Sequence, residues 1–304
     1  MPSEPDDDES DNDTILDFNG NKTNITKIPS PIPKWSPSSL EVAVQKVVKK
    51  NFDDIFVKIG SPTNRSLPKN KKTWSSWNSS LKKDERCFHS NGIPNHKTGI
   101  FPNKGNPNSI SQQKIYVCVP RYPKKSTAST KIKGIIGIAL NGVLFRPATA
   151  GFWDPKAPRG HSRNGNKNWS VDIFGLKGRL GLDFNNAHVG RGGMYHYHGL
   201  PTSFVNNLNK SHIGYAGDGF EIHYIKGKMS AWVLKDGFRK SGPLGKYDGT
   251  YNEDFFYQGS NDKIDECNGG MYKGKYVYFI TDNYPRVPRC LSGEVSSDFN
   301  KSRH

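Results

Sequence analysis

The chain has 304 residues, of which 33% are hydrophobic and 12% aromatic, and it contains 31 glycines and 20 prolines. This composition supplies apolar side chains for one sizeable core and favours a turn-rich, mainly β fold over a helical one. No apolar run is long enough to form a membrane-spanning helix, so a helical membrane protein is excluded.

The charge of the chain is large and unevenly distributed. The formal net charge is +16, and the segment 1–17 holds eight of the 28 acids without any lysine or arginine, which leaves 44 basic against 20 acidic side chains, a net +24, in the remainder. Such a field attracts polyanions. No nucleic-acid-binding motif accompanies it, so we expect an anionic glycan or a silica or phosphate mineral as partner, and no nucleic acid. A basic surface that serves solubility alone is the alternative.

The N-terminal part differs in composition from the rest. Residues 1–36 are acidic and then rich in Asn, Thr, Ser and Pro, which predicts a disordered leader. Ser38 and Glu41 have capping-box spacing before apolar residues at helical intervals, so we expect one short N-terminal helix at about 39–50. This helix belongs to a region, 37–84, that continues as a basic and aromatic linker.

Strand patterns follow, with two hairpin signals. Residues 115–119 alternate in the way that a strand requires. Asn141-Gly142 and, further on, Asp218-Gly219 stand between apolar stretches, and both dipeptides favour the tight turn of a β-hairpin.

The hairpins belong to an internal repeat. An Asp-x-x-Asn motif followed by Tyr-x-Tyr occurs within 183–197 and again, with nearly the same internal spacing, within 265–278. We therefore expect two copies, at about 133–205 and 210–290. Two units are too few for a solenoid, so they are predicted to pack face to face as an internally duplicated β-sandwich or barrel-like domain. Residues 295–304 are interpreted as a tail.

A histidine pair lies in the Tyr-x-Tyr strand of the first copy. Residues 194–199 read Met-Tyr-His-Tyr-His-Gly, so in a strand His196 and His198 share one face and the two tyrosines share the other. His188 precedes them by one glycine-rich turn. Three neutral imidazoles are a ligand set of zinc, copper and iron sites, and we hypothesise a divalent transition-metal site. Buried histidines bonded to the backbone are the alternative.

Several motifs occur in an order that identifies a family. They are the run at 194–199, the hairpin at 213–220, the turn at 265–269 and an opening segment at 90–108. Together they resemble the YHYH family of largely uncharacterised extracellular proteins. The resemblance covers residues 85–294 and implies no particular activity.

Other residues in these motifs extend or limit the candidate site. Asp218 follows a hairpin turn and is a candidate metal ligand or base, and His96, in the opening segment, is a candidate ligand. The second copy has Val277 and Phe279 where the first has its histidine pair. Family members commonly repeat the histidines, so this departure argues against a second site and predicts a buried strand face. His223 is interpreted as a surface residue.

Cysteines and sequons indicate an exported protein. The four cysteines are even in number and lack C-x-x-C spacing, which favours two disulfides over a thiolate metal site. We expect Cys87 to pair with Cys118 and Cys267 with Cys290. A high density of N-x-Ser/Thr sequons predicts a secreted glycoprotein. These sequons begin at Asn12, Asn21, Asn24, Asn64, Asn78, Asn168, Asn209 and Asn300.

The sequence favours a binding role over catalysis. It contains no Gly-x-Ser-x-Gly elbow, no phosphate-binding glycine loop and no His-Glu-x-x-His, which are signatures of common enzyme classes. The leading hypothesis is a secreted, basic binding or matrix protein that engages an anionic glycan or a mineral surface. One alternative is a metal-dependent hydrolase or oxidase centred on the Tyr-His-Tyr-His strand. Another is a purely structural extracellular domain.

Overall fold

A computed structural model of the chain divides into two compact units, Met1–Phe52 and Asp53–His304. The residues that it describes are 15–16, 22–23, 76–132, 134–259 and 264–300. In the first unit they form two short antiparallel strands, β1 (Ile15–Leu16) and β2 (Lys22–Thr23). The rest of the expected leader and the expected helix at 39–50 lie outside the described residues.

The second unit consists mainly of β-strands, as the composition predicted. Its strands are β3 (Trp77–Leu81), β4 (Glu85–Ser90), β5 (Ile115–Pro120), β6 (Lys125–Lys131), β7 (Gly137–Ala139), β8 (Leu144–Phe145), β9 (Thr149–Trp153), β10 (His161–Ser162), β11 (Asn166–Asp172), β12 (Ala187–Val189), β13 (Tyr195–Tyr197), β14 (His212–Ala216), β15 (Glu221–Tyr224), β16 (Trp232–Leu234), β17 (Phe255–Tyr257), β18 (Gly269–Tyr272), β19 (Lys275–Ile280) and β20 (Cys290–Gly293). The α-helices among the described residues are short, α1 (Thr202–Asn206) and α2 (Ser297–Asn300).

The central element is an eight-stranded sheet with the order β12-β13-β8-β7-β14-β15-β19-β18. Its two halves have the same internal order, because β7, β8, β13 and β12 of the first half correspond to β14, β15, β19 and β18 of the second. In each half a hairpin is followed by a parallel pairing, β8 with β13 and β15 with β19. The hairpin glycines, Gly142 and Gly219, have φ of 80° and 87°, a conformation that glycine adopts without strain.

The two halves meet through antiparallel pairing of β7 with β14, in which Ile138 lies opposite Tyr215. Glycines allow the strands this close approach: a Cβ on Gly137 would lie 2.2 Å from the Tyr215 carbonyl oxygen, and one on Gly214 would lie 2.6 Å from that of Ile138. The copies therefore lie side by side in one sheet. The expectation that they pack face to face is wrong, because their edges pair instead.

Other parts of the chain cover both faces of this sheet. On one face, Ile138 and Leu144 belong to an apolar cluster with Phe88 and Val117 of β4 and β5. On the other face, Phe145 and the tyrosines of β13 and β19 pack with loop residues from the 93–110 segment. The fold is sandwich-like, and it is not a closed barrel, because β12 and β18 are not paired with each other.

Two segments outside the expected domain, 85–294, belong to the fold. Strand β3, in the expected linker region 37–84, pairs with β4. Residues 77–81 thereby extend the β4–β5 sheet. Helix α2 opens the expected tail, and its Phe299 is buried at 3% exposure. The Asp298 carboxylate of α2 accepts a hydrogen bond from the backbone N–H of Cys118 at 2.9 Å.

Both expected disulfides are confirmed. Cys87 pairs with Cys118 directly across β4 and β5, and Cys267 pairs with Cys290, which joins the turn before β18 to β20. No helix among the described residues has the length and apolar character that crossing a membrane requires.

The glycine at the β7–β14 junction generates a stability prediction. Gly137→Ala should destabilise the protein by about 3 kcal/mol, because the new methyl group meets backbone atoms that cannot rotate away. Gly274, which has open space around it and a φ of 78°, provides the control; Gly274→Ala should cost about 1 kcal/mol through φ alone. Urea unfolding would measure both. Equal losses would contradict the proposed importance of the junction.

Candidate metal centre

The pairing of β12 with β13 brings three histidines onto one face of the sheet. His188 lies directly opposite His196 in the antiparallel register, and His198 follows two residues after His196, on the same face. The turn between the strands contains Gly192 and Gly193, with φ of 90° and 85°. These glycines let the chain reverse tightly enough for this register.

The three imidazoles form a nearly equilateral triangle. The ring centroids of His188 and His196 are 4.8 Å apart, those of His188 and His198 4.9 Å, and those of His196 and His198 4.7 Å. The ring planes are inclined to one another by 73° to 83°. The three ring planes are therefore close to perpendicular to one another.

Backbone carbonyls determine which ring nitrogen of each histidine carries the proton. Nδ1 of His188 is 3.1 Å from the Leu180 oxygen, Nδ1 of His196 is 3.0 Å from that of Met194, and Nδ1 of His198 is 2.8 Å from that of Pro147. A carbonyl oxygen only accepts, so each Nδ1 must donate. The three Nε2 atoms therefore carry lone pairs, and metal-ligating histidines commonly have this tautomer and this support.

Burial keeps these histidines neutral. His196 and His198 are 2% and 4% exposed, and burial is the main cause that lowers the pKa of all three histidines. Neighbouring histidines lower the pKa of His196 and His198 further, and the Arg146 guanidinium lowers the pKa of all three. Neutral imidazole is the form that binds a metal.

The spacing of one nitrogen pair, from His188 and His198, matches that of two ligands in a tetrahedral metal site. Nε2 of His188 and Nε2 of His198 are 3.3 Å apart. Metal–nitrogen distances of about 2.0–2.1 Å in a tetrahedral site place two ligand nitrogens about 3.3–3.4 Å apart. One nitrogen from each of the three residues lies within 4.8 Å of the others. A hydrogen bond between the two Nε2 atoms would need an imidazolium, which burial disfavours, so the two lone pairs face each other without a proton between them.

A family model described as YHYH protein matches residues 116–293 of the chain, which is more than half of its length. The chain belongs to the YHYH family. No curated protein and no solved structure matches it. Membership confirms the resemblance seen in the sequence of this YHYH protein.

Two of the expected site residues lie away from the three histidines. Asp218 accepts hydrogen bonds from the Tyr278 hydroxyl at 2.6 Å and from the Gly293 N–H at 2.9 Å. His96 accepts a hydrogen bond at Nε2 from the Tyr197 hydroxyl at 2.6 Å, while its Nδ1 donates to the Lys97 oxygen. Both partners are tyrosines of the opposite sheet face, so neither Asp218 nor His96 joins the three histidines.

The tyrosine face has a structural role in both halves. The Tyr195 hydroxyl donates to Asp183 and the Tyr276 hydroxyl to Asp265, each at 2.7 Å. The same carboxylates accept backbone N–H groups of their own turns. These aspartates form turns and anchor tyrosines, as an Asp-x-x-Asn motif indicates.

The equivalent face of the second half contains an apolar cluster and a second polar cluster. Val277 and Phe279 are buried with Ile264, which confirms the expected burial. Beside them, His223 is 6% exposed and bonds through Nε2 to Glu221 at 2.7 Å and through Nδ1 to Ser211 at 3.0 Å. The interpretation of His223 as a surface residue is wrong, because the rings of His212 and Tyr272 pack against it at 5.3 and 5.2 Å.

The buried His96 generates a pH prediction. Burial lowers its pKa to about 4, below the ordinary value of about 6.5. The unfolded chain therefore takes up a proton at this residue at higher pH than the folded protein, and stability is lost as the pH falls from about 6.5 towards 4. In His96→Gln, the loss of unfolding free energy between pH 7 and pH 4.5 should be smaller by about 2 kcal/mol.

Urea unfolding at the two pH values would measure this difference. His89→Gln is the matched control, because it removes an imidazole that is exposed. An unchanged pH dependence in His96→Gln would show that His96 is not held neutral by the fold.

Proposed function

We propose that this protein is a metalloprotein whose centre binds one divalent transition-metal ion, of the zinc type, through His188, His196 and His198. One observation carries the proposal: each Nδ1 donates to a backbone carbonyl, so the lone pairs of three Nε2 atoms remain for a common ligand, with two of them 3.3 Å apart. Imidazole ligands also suit copper and iron. The distance between the His188 and His198 nitrogens is the one expected of two zinc ligands in a tetrahedral site.

The centre supplies three protein ligands and not four. Among the described residues, the groups of metal-binding side chains are these three histidines and two groups that contain Cys87 with Cys118 or Cys267 with Cys290. The cysteines are in disulfides and are not thiolate ligands. Sites with three protein ligands leave a coordination position for water or substrate, which is the arrangement of catalytic zinc centres. This supports the metal-dependent alternative over a purely structural domain.

Metal analysis tests the proposal. The full chain, secreted from eukaryotic cells and dialysed, should bind about one equivalent of Zn²⁺ or Co²⁺, and His196→Ala with His198→Ala should bind none. Bound metal at a hundredfold excess over its Kd should raise the unfolding free energy by about 2.7 kcal/mol. Elemental analysis and thermal unfolding would measure both quantities.

The control for this experiment is His212→Ala with His223→Ala, which removes a histidine pair outside the centre, whose stacked rings lie 5.3 Å apart. This variant should keep the metal. A double variant of the control pair that lost the metal, or a wild-type protein that bound none, would overturn the assignment.

A second role, binding to an anionic extracellular polymer or mineral, is supported by the charge distribution. Outside the acidic segment 1–17 the sequence carries 44 basic and 20 acidic side chains. Two disulfides suit an oxidising compartment, and the sequon asparagines Asn78, Asn168 and Asn209 are exposed, where glycosylation requires them. We infer that the protein is secreted and that its basic surface adsorbs to sulfated glycans, silica or phosphate mineral.

Salt dependence tests this second role. Adsorption of the full chain to heparin or silica should be strong at about 0.05 M salt and should be lost at about 1 M, where charges are screened over about 3 Å. The double alanine variant of His196 and His198 should adsorb like the wild type. Neutral dextran is the control matrix. Adsorption that persists at high salt would contradict a charge-based contact.

A further inference from the structure

Arg146 lies on the histidine face next to His198. Strand β8 pairs in parallel with β13, with Leu144 beside His196 and Phe145 beside Tyr197, and the N–H of Arg146 donates to the Tyr197 oxygen at 2.9 Å. The next residue pair in this register is Arg146 with His198. Because side chains alternate between faces, Arg146 is on the same side of the sheet as the three imidazoles.

The charge of Arg146 has no acidic partner in the described part of the chain. The one hydrogen bond of its side chain there is a long one, from Nε to the Gly134 carbonyl at 3.5 Å, and no ion pair with a carboxylate involves it. Burial lowers its pKa, and the nearby Arg163 guanidinium lowers it further. Arg146 is close enough to lower the pKa of all three histidines as well.

A metal ion at the centre would therefore make this region strongly cationic. Three neutral imidazoles do not reduce the charge of a divalent ion, and Arg146 adds another positive charge beside it. Uncompensated charges in a partly buried place are costly. The ligand that best completes such a centre is an anion, bound to the metal through one oxygen and to the guanidinium through others.

We propose that the open coordination position of the metal takes a small oxyanion, of the phosphate, sulfate or carboxylate class, and that Arg146 is the positioning residue that binds its remaining oxygens. A guanidinium presents parallel N–H donors that match two oxygens of such an anion. This inference rests on the proposed metal site. His196 and His198 are almost fully buried, at 2% and 4% exposure, so the position suits a small anion and not a bulky ester.

The second half of the sheet provides an internal comparison. At the position equivalent to Arg146, opposite Phe279, it has His223, and the neighbouring side chain that pairs with it is the carboxylate of Glu221. The half that lacks the three histidines thus also lacks the unpaired guanidinium. The arginine and the imidazoles occur together, as a joint anion-binding role requires.

Cobalt spectroscopy of the full chain tests the inference. Co²⁺ replaces zinc and reports its ligands through visible absorption, so metal binding and anion binding are measured separately. At constant ionic strength, phosphate should change the Co²⁺ spectrum in a saturable way, while chloride should have little effect. In Arg146→Met the stoichiometry of Co²⁺ should be unchanged, and the affinity for phosphate should fall about 10–100-fold, the loss expected for a charge-assisted hydrogen bond.

Two further variants complete the design. Arg191→Met removes an exposed positive charge from the turn between β12 and β13, and it should leave phosphate affinity within about twofold because exposed charges are screened. Arg146→Lys keeps the charge and should retain part of the affinity. It also keeps the test usable if Arg146→Met does not fold, which circular dichroism would reveal.

The outcomes separate the two proposals. A chain that binds no Co²⁺ overturns the proposed metal site itself. Co²⁺ binding without any response to phosphate, sulfate or acetate overturns the oxyanion inference and leaves the metal site standing. Equal phosphate affinity in wild type and Arg146→Met overturns the role of Arg146. Phenyl phosphate that binds as tightly as phosphate would overturn the restriction to a small anion.

Discussion

The register between β12 and β13 is the constraint on which the histidine centre depends. It places His188 opposite His196, and a slip by one residue would move His188 to the tyrosine face, because side chains alternate along a strand. The glycine turn between the strands permits this register, and the carbonyls of Leu180, Met194 and Pro147 then orient the rings. The contact of His196 with Met194 is local, two residues apart, whereas those of His188 and His198 span 8 and 51 residues, so the tautomers of these two depend on the fold.

The two halves differ in how many polar side chains they bury on the histidine face. Both halves have tyrosines anchored by aspartates on one face, and this shared face contributes to the core. On the other face the second half has Val277 and Phe279, which pack without needing polar partners. The first half instead buries imidazoles that require a hydrogen bond each, and leaving one unpaired costs about 1–3 kcal/mol. The equivalent faces of the two halves therefore differ: the first holds three imidazoles, and the second holds Val277 and Phe279 beside the pair of His223 and Glu221.

The sequence predicted local features and failed where distant strands meet. Alternation of His and Tyr predicted which residues share a face. The even number of cysteines and their spacing predicted both disulfides. Repetition of the Asp-x-x-Asn and Tyr-x-Tyr motifs predicted two copies, but not that the edges of the copies would pair. Gly137 and Gly214 indicate a close approach only once the partner strand is known. Asp218 and His96 were attractive as ligands by residue type, yet each is the partner of a tyrosine on the opposite face. Arg146 was not selected, because only the parallel pairing of β8 with β13 brings it beside the histidines.

The strand that carries His188 lies at one end of the large sheet, and three of its outward backbone groups, the N–H of Ala187 and the carbonyls of Ala187 and Val189, are engaged. The Val189 carbonyl accepts the side-chain amides of Asn106 and Asn108, each at 2.9 Å. The Asp183 carboxylate accepts a hydrogen bond from the N–H of Ala187, and the Asp183 N–H donates one to the carbonyl of Ala187. An edge strand with free backbone groups is a template for strand addition by another chain. Here hydrogen bonds within the chain already use those backbone groups of the edge strand. A second molecule cannot extend the sheet at this end without first breaking them, which protects the histidine edge against aggregation.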